Sequence, residues 1–404
     1  MSTEVPPPGS RLAFAVLFAS LLCVGLGHSL VYSILPALAR ELGLAEIQVG
    51  GIFTVSAALW VWASPAWGRA SDRIGRRPVL LIGLLGYAAS TVAFARSIEA
   101  ALDGLLPLGL AYLAMVASRS VFGLIGAGIF PASQAYVVER TPPARRLTDL
   151  ARLSAAMGVG TVMGPGLGAA LVGFGLLTPL YVVAGLALVG ALAIALALPE
   201  SAAAASGRPR PKLRWLDPRI RPFVLVGLAL STVQAILLQT IGFHVIDRLR
   251  LDALAGTRQA GSALVAFAAA SLVTQVGIIP RLALSAAQML RLGCVIIAAA
   301  TAALVLAGDA IAIVAAMCVA GVGTGLVRPA NATAGSLAVE PHEQGAVAGV
   351  LGAVMAAGFV LAPLIGPGLY QLWRPGPFLL ASGLFAVTAI GLSRRADRVP
   401  GGGA

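Results

Sequence analysis

The residues best placed to do chemistry lie in one short stretch, Gly68-Arg69-Ala70-Ser71-Asp72-Arg73-Ile74-Gly75-Arg76-Arg77-Pro78. Four arginines and one aspartate sit between two apolar runs, with a glycine at each shoulder. Gly68 and Gly75 relax backbone limits, and Pro78 suits the first turn of a following helix. Asp72 can face a helix N-terminus or an arginine, where its charge is stabilised. A cluster of this kind can latch two helical bundles and break when they rock. The same composition also serves as a plain basic anchor at a membrane surface, and the residues alone leave both readings open.

A second set of candidates lies inside apolar runs, where polar groups are costly and usually functional. His28 and Tyr32 are four residues apart and share one helix face. Gln134 and Arg119 fall in a later run, Gln234, Gln239, Thr240 and His244 in another, and Arg328 and Asn331 in a third. Each amide can contact a substrate or bond to a neighbouring helix. All sixteen acidic residues fall in loops or at the ends of runs, with Asp247 closing one run and Asp309 opening another. Imidazole titrates near neutrality, so His28 or His244 is a candidate proton carrier, with Asp247 a third. An interior that holds Arg119 and Arg328 but no acid suits neutral or anionic substrates better than polycations.

Long apolar elements must position these groups. Hydrophobic residues make up 58% of the 404, charged residues 11%, and the mean hydropathy is +0.92. A soluble domain is about 45–50% apolar and about 25% charged, so a cytosolic enzyme, a secreted domain and a disordered chain are excluded. A bilayer span needs roughly 20 apolar residues, and about twelve fit here. The first six are read at 12–36, 47–67, 78–96, 105–137, 151–173 and 176–198, the last six at 222–246, 259–280, 287–307, 310–337, 344–370 and 375–393. The fold class is therefore an all-α polytopic membrane protein of about twelve helices. The first run has no small-residue cleavage site after a short core and reads as a retained span.

Between the two sets lies a polar, proline-containing stretch with Arg208, Arg210, Lys212, Arg214, Arg219 and Arg221. It divides the chain into a bundle at 1–199, a linker at 200–221 and a bundle at 222–404. The bundles resemble each other. Gly164-Pro165-Gly166-Leu167 recurs as Gly366-Pro367-Gly368-Leu369, each in the fifth run of its half, and Glu139 and Glu340 follow runs that contain Pro131 and Pro329. Two repeats with a site between them are a transporter architecture. With the N-terminus placed in the cytoplasm, 20 basic residues fall inside and six outside, which predicts cytoplasmic termini and a multi-pass protein of the inner cell membrane. The net charge of +12 thus reflects topology and not nucleic-acid binding. Cys23, Cys294 and Cys318 lie in apolar runs without ligand spacing, and no metal or cofactor is expected.

The stretch from Gly68 is similar to the G-x-x-x-D-R-x-G-R-R motif of the major facilitator superfamily. That resemblance implies that Asp72 and Arg69, Arg73, Arg76 and Arg77 form a gating charge cluster that stabilises an outward-open state. Gly158, Gly160, Gly164, Pro165, Gly166 and Gly168 resemble the G-x-x-x-G-P-x-x-G-G motif of the twelve-helix drug:proton antiporters, with Ala169 in place of the last glycine. Arg119-Ser120-Val121-Phe122-Gly123 resembles the same family's R-x-x-Q-G element, with Phe122 replacing glutamine, and there Arg119 would serve proton coupling or order the core. Gly27 to Pro36 resembles its G-x5-P-x-x-P element in part. In the family fold the first, fourth, seventh and tenth helices line a central cavity, which implies that His28, Tyr32, Gln134, Gln234, Gln239, His244, Arg328 and Asn331 face it.

The function expected is secondary transport, with proton-coupled export of a small amphiphilic compound by alternating access. The chain is expected to act as a monomer. Uptake or exchange of a metabolite such as an organic anion is an alternative in the same fold, and a non-transporting sensor or scaffold is one of another class. Short loops weigh against the sensor. An enzyme is not expected, since no nucleophile elbow, metal cluster or GxxxxGK[ST] loop is present.

Overall fold

A computed structural model describes residues 8–142, 145–200, 217–340 and 343–396. Among them there is no strand, and the chain runs through thirteen α-helices. These are α1 (Pro8–Leu42), α2 (Glu46–Ile74), α3 (Arg76–Leu102), α4 (Leu108–Ile125), α5 (Ile129–Arg140), α6 (Arg146–Leu171), α7 (Thr178–Ala197), α8 (Arg221–Leu249), α9 (Ala253–Val273), α10 (Ala286–Leu306), α11 (Ala310–Leu337), α12 (Gln344–Leu372) and α13 (Gly376–Ala396). The expected fourth span is two helices joined by a short 3-10 turn at Gly126–Gly128. Eleven stretches of the described residues are long and apolar enough to cross a bilayer, Leu108–Arg140 counting as one, and Gly376–Leu392 is a shorter twelfth. The protein is an all-α, multi-pass membrane protein.

The helices stop and start for local reasons. Gly43, with φ +71°, closes α1. Asp252, Ser285 and Asp309 cap α9, α10 and α11, each side chain accepting from a backbone N–H of the first turn. The acid that opens the tenth span is thus a cap. A π-turn at Thr274–Ile278 and a 3-10 turn at Ile279–Arg281 complete the span begun by α9.

Two compact units divide the chain. One comprises Met1–Leu44 and Gly51–Gly207, the other Ala45–Gly50 and Arg208–Ala404. The linker arginines Arg208, Arg210 and Arg214, with Lys212, lie outside the described residues. In the first unit α1 packs along α6, and α3 packs on α4 and α7. In the second, α8 packs along α12, and α10 packs on α11 and α13.

The repeated glycine stretch explains the matching pairs. A side chain at Gly160 would run into the carbonyl of Leu22, and one at Gly164 into Ser29 and the carbonyl of Leu26. In the other unit, Gly358 faces Ser231 and Gly366 faces Ile236 and Thr240. In each unit small residues of the fifth span let the first span approach to backbone contact. Gly158 lies in open space, so only part of the glycine pattern is spent on packing. We expect Gly160→Val to destabilise the solubilised protein by about 1–3 kcal/mol through overpacking, while Gly158→Ala leaves its melting temperature unchanged. Equal melting of the two variants would contradict this packing.

Candidate functional site

The α2–α3 turn is built around one arginine. Gly75 has φ +96°, a left-handed conformation that favours glycine, and any side chain there would strike Glu200. This turn carries Arg76 back into the protein, where it is only 5% exposed. Its Nη2 lies 2.6 Å from Asp72 Oδ1 and 2.7 Å from Glu139 Oε1, and its Nε donates to Glu139 Oε1 at 3.0 Å. Ser71 Oγ accepts from Nη1. Arg77 donates to the carbonyl of Ala195 at the end of α7, and Arg140 donates to the carbonyl of Glu200 at 2.8 Å. The cluster therefore joins α2, α3, α5 and the end of α7. Among the described residues Arg76 is the arginine that pairs with Asp72, while Arg69 and Arg73 are exposed. Glu139, a partner from 63 residues away, is the member that motif reading left out.

Deeper in the same unit, Arg119 is 2% exposed. Its Cζ lies 4.8 Å from the Phe122 ring and 5.8 Å from that of Phe94. Phe122 also packs on Tyr87, Trp60 and His28, at ring separations of 5.0, 5.1 and 6.2 Å. The ring thus stands where the family motif has an amide, and a desolvated cation over a ring gains about 2 kcal/mol. Tyr32 Oη and His28 Nε2 lie 3.2 Å apart, as the shared face predicts. No carboxylate among the described residues pairs with Arg119, and its Nε has no partner there. Gln134 is not part of this group: it lies on α5, roughly 20 Å further along the span.

The second unit splits its candidates into two places. Arg328 donates to Gln234 Oε1, which joins α11 to α8. Asn331 Nδ2 donates to the carbonyl of Phe223 at 3.0 Å, while its Oδ1 is buried without a partner. Gln239 and His244 lie further along α8. Both are buried, the Gln239 amide is unpartnered at either end, and His244 Nε2 is unpartnered. The His244 ring sits 4.7 Å from Phe378 and 6.4 Å from Tyr370. Thr240 bonds to its own helix at Ile236. Asp247 accepts from Tyr370 Oη at 3.2 Å and lies 3.5 Å from Arg374, so it is held in an ionic cluster.

A third cluster was not singled out in the sequence. Arg219 donates to both Glu343 oxygens, at 2.8 and 3.0 Å, and to Asp217 Oδ2 at 2.9 Å. The side-chain and backbone bonds from Arg219 hold the Asp217 carboxyl below the usual carboxylate range. Asp217, and next Glu343, raise Arg219 above the ordinary arginine value. Composition showed Arg219 only as one more basic linker residue.

Long apolar helices packed in two units make this a polytopic membrane protein, and Arg119 is buried deep within the first of them. The sequence model of the Major Facilitator Superfamily matches residues 17–355, and the chain belongs to that family. It is 28% identical over 191 residues to Multidrug resistance protein 2 of Bacillus subtilis, across 47% of this chain and 45% of that one. The chain thus spans about half the length of the curated relatives it matches first. Its fold is similar to that of the human organic anion transporter MFSD10, with TM-score 0.64 and 22% identity over 96% of this chain and 100% of that one. It is also similar to the nucleoside transporter NupG, with TM-score 0.74 and 15% identity over 95% and 99%.

The two carboxylates on Arg76 should differ in weight. Glu139 is mostly buried and takes two bonds, whereas the Asp72 side chain is 57% exposed. We expect Glu139→Ala to cost about 3–5 kcal/mol, as removal of one partner of a buried ion pair does, and Asp72→Asn at most about 1 kcal/mol. Unfolding of the two variants in detergent measures this, and a greater loss for Asp72→Asn would contradict it.

Proposed function

We propose that this transporter exports a small amphiphilic compound by alternating access and couples export to protons. The observation that carries the reading is the His28–Tyr32 pair beside Phe122, with Arg119 on the same ring. Among the described spans no carboxylate takes a central position; His28 and His244 are the groups there whose ordinary titration lies near neutrality. His28 is partly exposed and bonded to a phenol, while His244 is 6% exposed and packed between rings. His28 is therefore the better proton carrier. A proton on His28 adds a second positive charge beside Arg119, so the occupancy of the neighbouring space controls whether it stays. A substrate that alters that balance exchanges with the proton. The likeness to multidrug resistance proteins supports export. On this reading the Arg76 cluster is the latch that sets the rate of rocking, and the 20-to-6 basic bias supports a cytoplasmic α2–α3 turn.

Two tests follow. His28→Gln should still bind substrate and carry it downhill in proteoliposomes, yet lose accumulation driven by a pH gradient; retained accumulation with an unchanged pH profile removes His28 from the coupling step. A cysteine replacing exposed Arg69 should react with an impermeant maleimide in inside-out vesicles and not in intact cells, and the opposite pattern reverses the topology.

A further inference from the structure

The second unit contains a cavity of about 260 Å³. Leu230 of α8, Arg328, Asn331 and Ser336 of α11, and Val347 and Met355 of α12 are among its lining residues. The wall is largely apolar, and no acidic residue is part of it among the described residues. Arg328, an exposed side chain, is the one charged residue among the described lining residues. It stands nine residues from the end of α11, or about 14 Å of helix rise. A guanidinium stays protonated throughout the physiological range. Its partner here is the neutral Gln234 Oε1. A guanidinium held by an amide is only partly compensated, because the amide oxygen carries a dipole and no net negative charge to offset the cation. Beside it, Asn331 is 5% exposed and keeps an unpartnered oxygen. The nearest acids in sequence, Glu340 and Glu343, lie beyond the end of α11, and Glu343 is taken up by Arg219.

We propose that Arg328 is the recognition point for a single anionic head group, and that the substrate is an amphiphilic monoanion: a carboxylate or sulfonate on a compact apolar body. Without substrate the guanidinium rests on Gln234. An incoming carboxylate takes the fork with two oxygens. Gln234 is then released to turn its amide N–H toward the anion, and α8 and α11 are bridged through the ligand. Leu230, Val347 and Met355 receive the apolar body. A volume of about 260 Å³ is just below the roughly 300–1,000 Å³ of drug-sized pockets, so the ligand is small. A cation finds no counter-charge here and meets Arg328 as a like charge. The inference rests on the transport reading above, and deepens it by fixing the charge class of the cargo.

The test is equilibrium binding to the purified full chain in detergent with phosphatidylcholine, without any gradient. The probes are 1-naphthaleneacetate, its methyl ester and 1-naphthylmethylammonium. The carboxylate should bind at least tenfold tighter than the ester or the ammonium, with affinity flat between pH 6 and 8. Arg328→Gln should abolish that preference, and Arg328→Lys should keep it at reduced affinity. Equal affinities for the three probes in the unsubstituted protein, no binding of the carboxylate at millimolar concentration, or an undiminished preference in Arg328→Gln would each overturn the proposal. If Arg328→Gln does not fold, the three-probe comparison and Arg328→Lys still decide. Phosphatidylglycerol added in competition separates the two sources of an anionic head: displacement of the carboxylate by this lipid assigns the site to a lipid and overturns the substrate assignment. Selective carboxylate binding without proton-linked accumulation keeps this assignment and removes coupled export; accumulation without selectivity does the reverse.

Discussion

An arginine within or beside the spans must be compensated by the protein, and three organise this chain: Arg76 and Arg119, both buried, and Arg328, exposed along the wall of a cavity. Leaving a charge unpaired in an apolar interior costs several kcal/mol. Arg76 is met by two carboxylates, Arg119 by two aromatic rings, and Arg328 by one amide oxygen. The series runs from full ionic pairing to bare dipolar solvation. Full pairing suits a latch, which must hold one state and break as a unit. Partial compensation suits a place where charge arrives and leaves during a transport cycle.

The helix packing serves these residues. Close contact of the first and fifth spans in each unit needs glycine at the crossing, which fixes His28 and Tyr32 on α1 and Gln234 on α8 relative to the remainder of their units. The 3-10 turn at Gly126–Gly128 lets one span hold Arg119 deep and still bring Glu139 to Arg76. In the second unit Glu343, after the tenth span, is bonded by Arg219, just before α8. The halves share their helix packing while differing in how their charged ends are tied.

Much of this was legible in the sequence. Hydropathy located the spans, and the four-residue spacing of His28 and Tyr32 became a direct contact. The Gly75 turn and the pairing of Asp72 with an arginine were legible from local residue types. What stayed hidden was long-range pairing. Spacing tells which residues share a helix face but not which faces meet, so Glu139 with Arg76 and Arg219 with Glu343, separated by 63 and 124 residues, had no local signal. The same limit grouped Gln134 with Arg119, and Gln239 and His244 with Arg328, since membership of an apolar run does not fix depth along it. Gly158 and Gly160 read alike as motif glycines, yet only Gly160 meets a backbone.

Exchange of a small amphiphile for protons is the proposal on which the roles of His28 and the Arg76 cluster depend. The most direct measurement uses proteoliposomes of the purified protein loaded with a pH-sensitive dye and challenged, at a set pH gradient, with a panel of dyes and metabolites. Proton-coupled exchange gives a substrate-dependent proton flux opposite in direction to substrate, absent in empty liposomes and abolished by a protonophore. Substrate movement with no accompanying proton flux would contradict it.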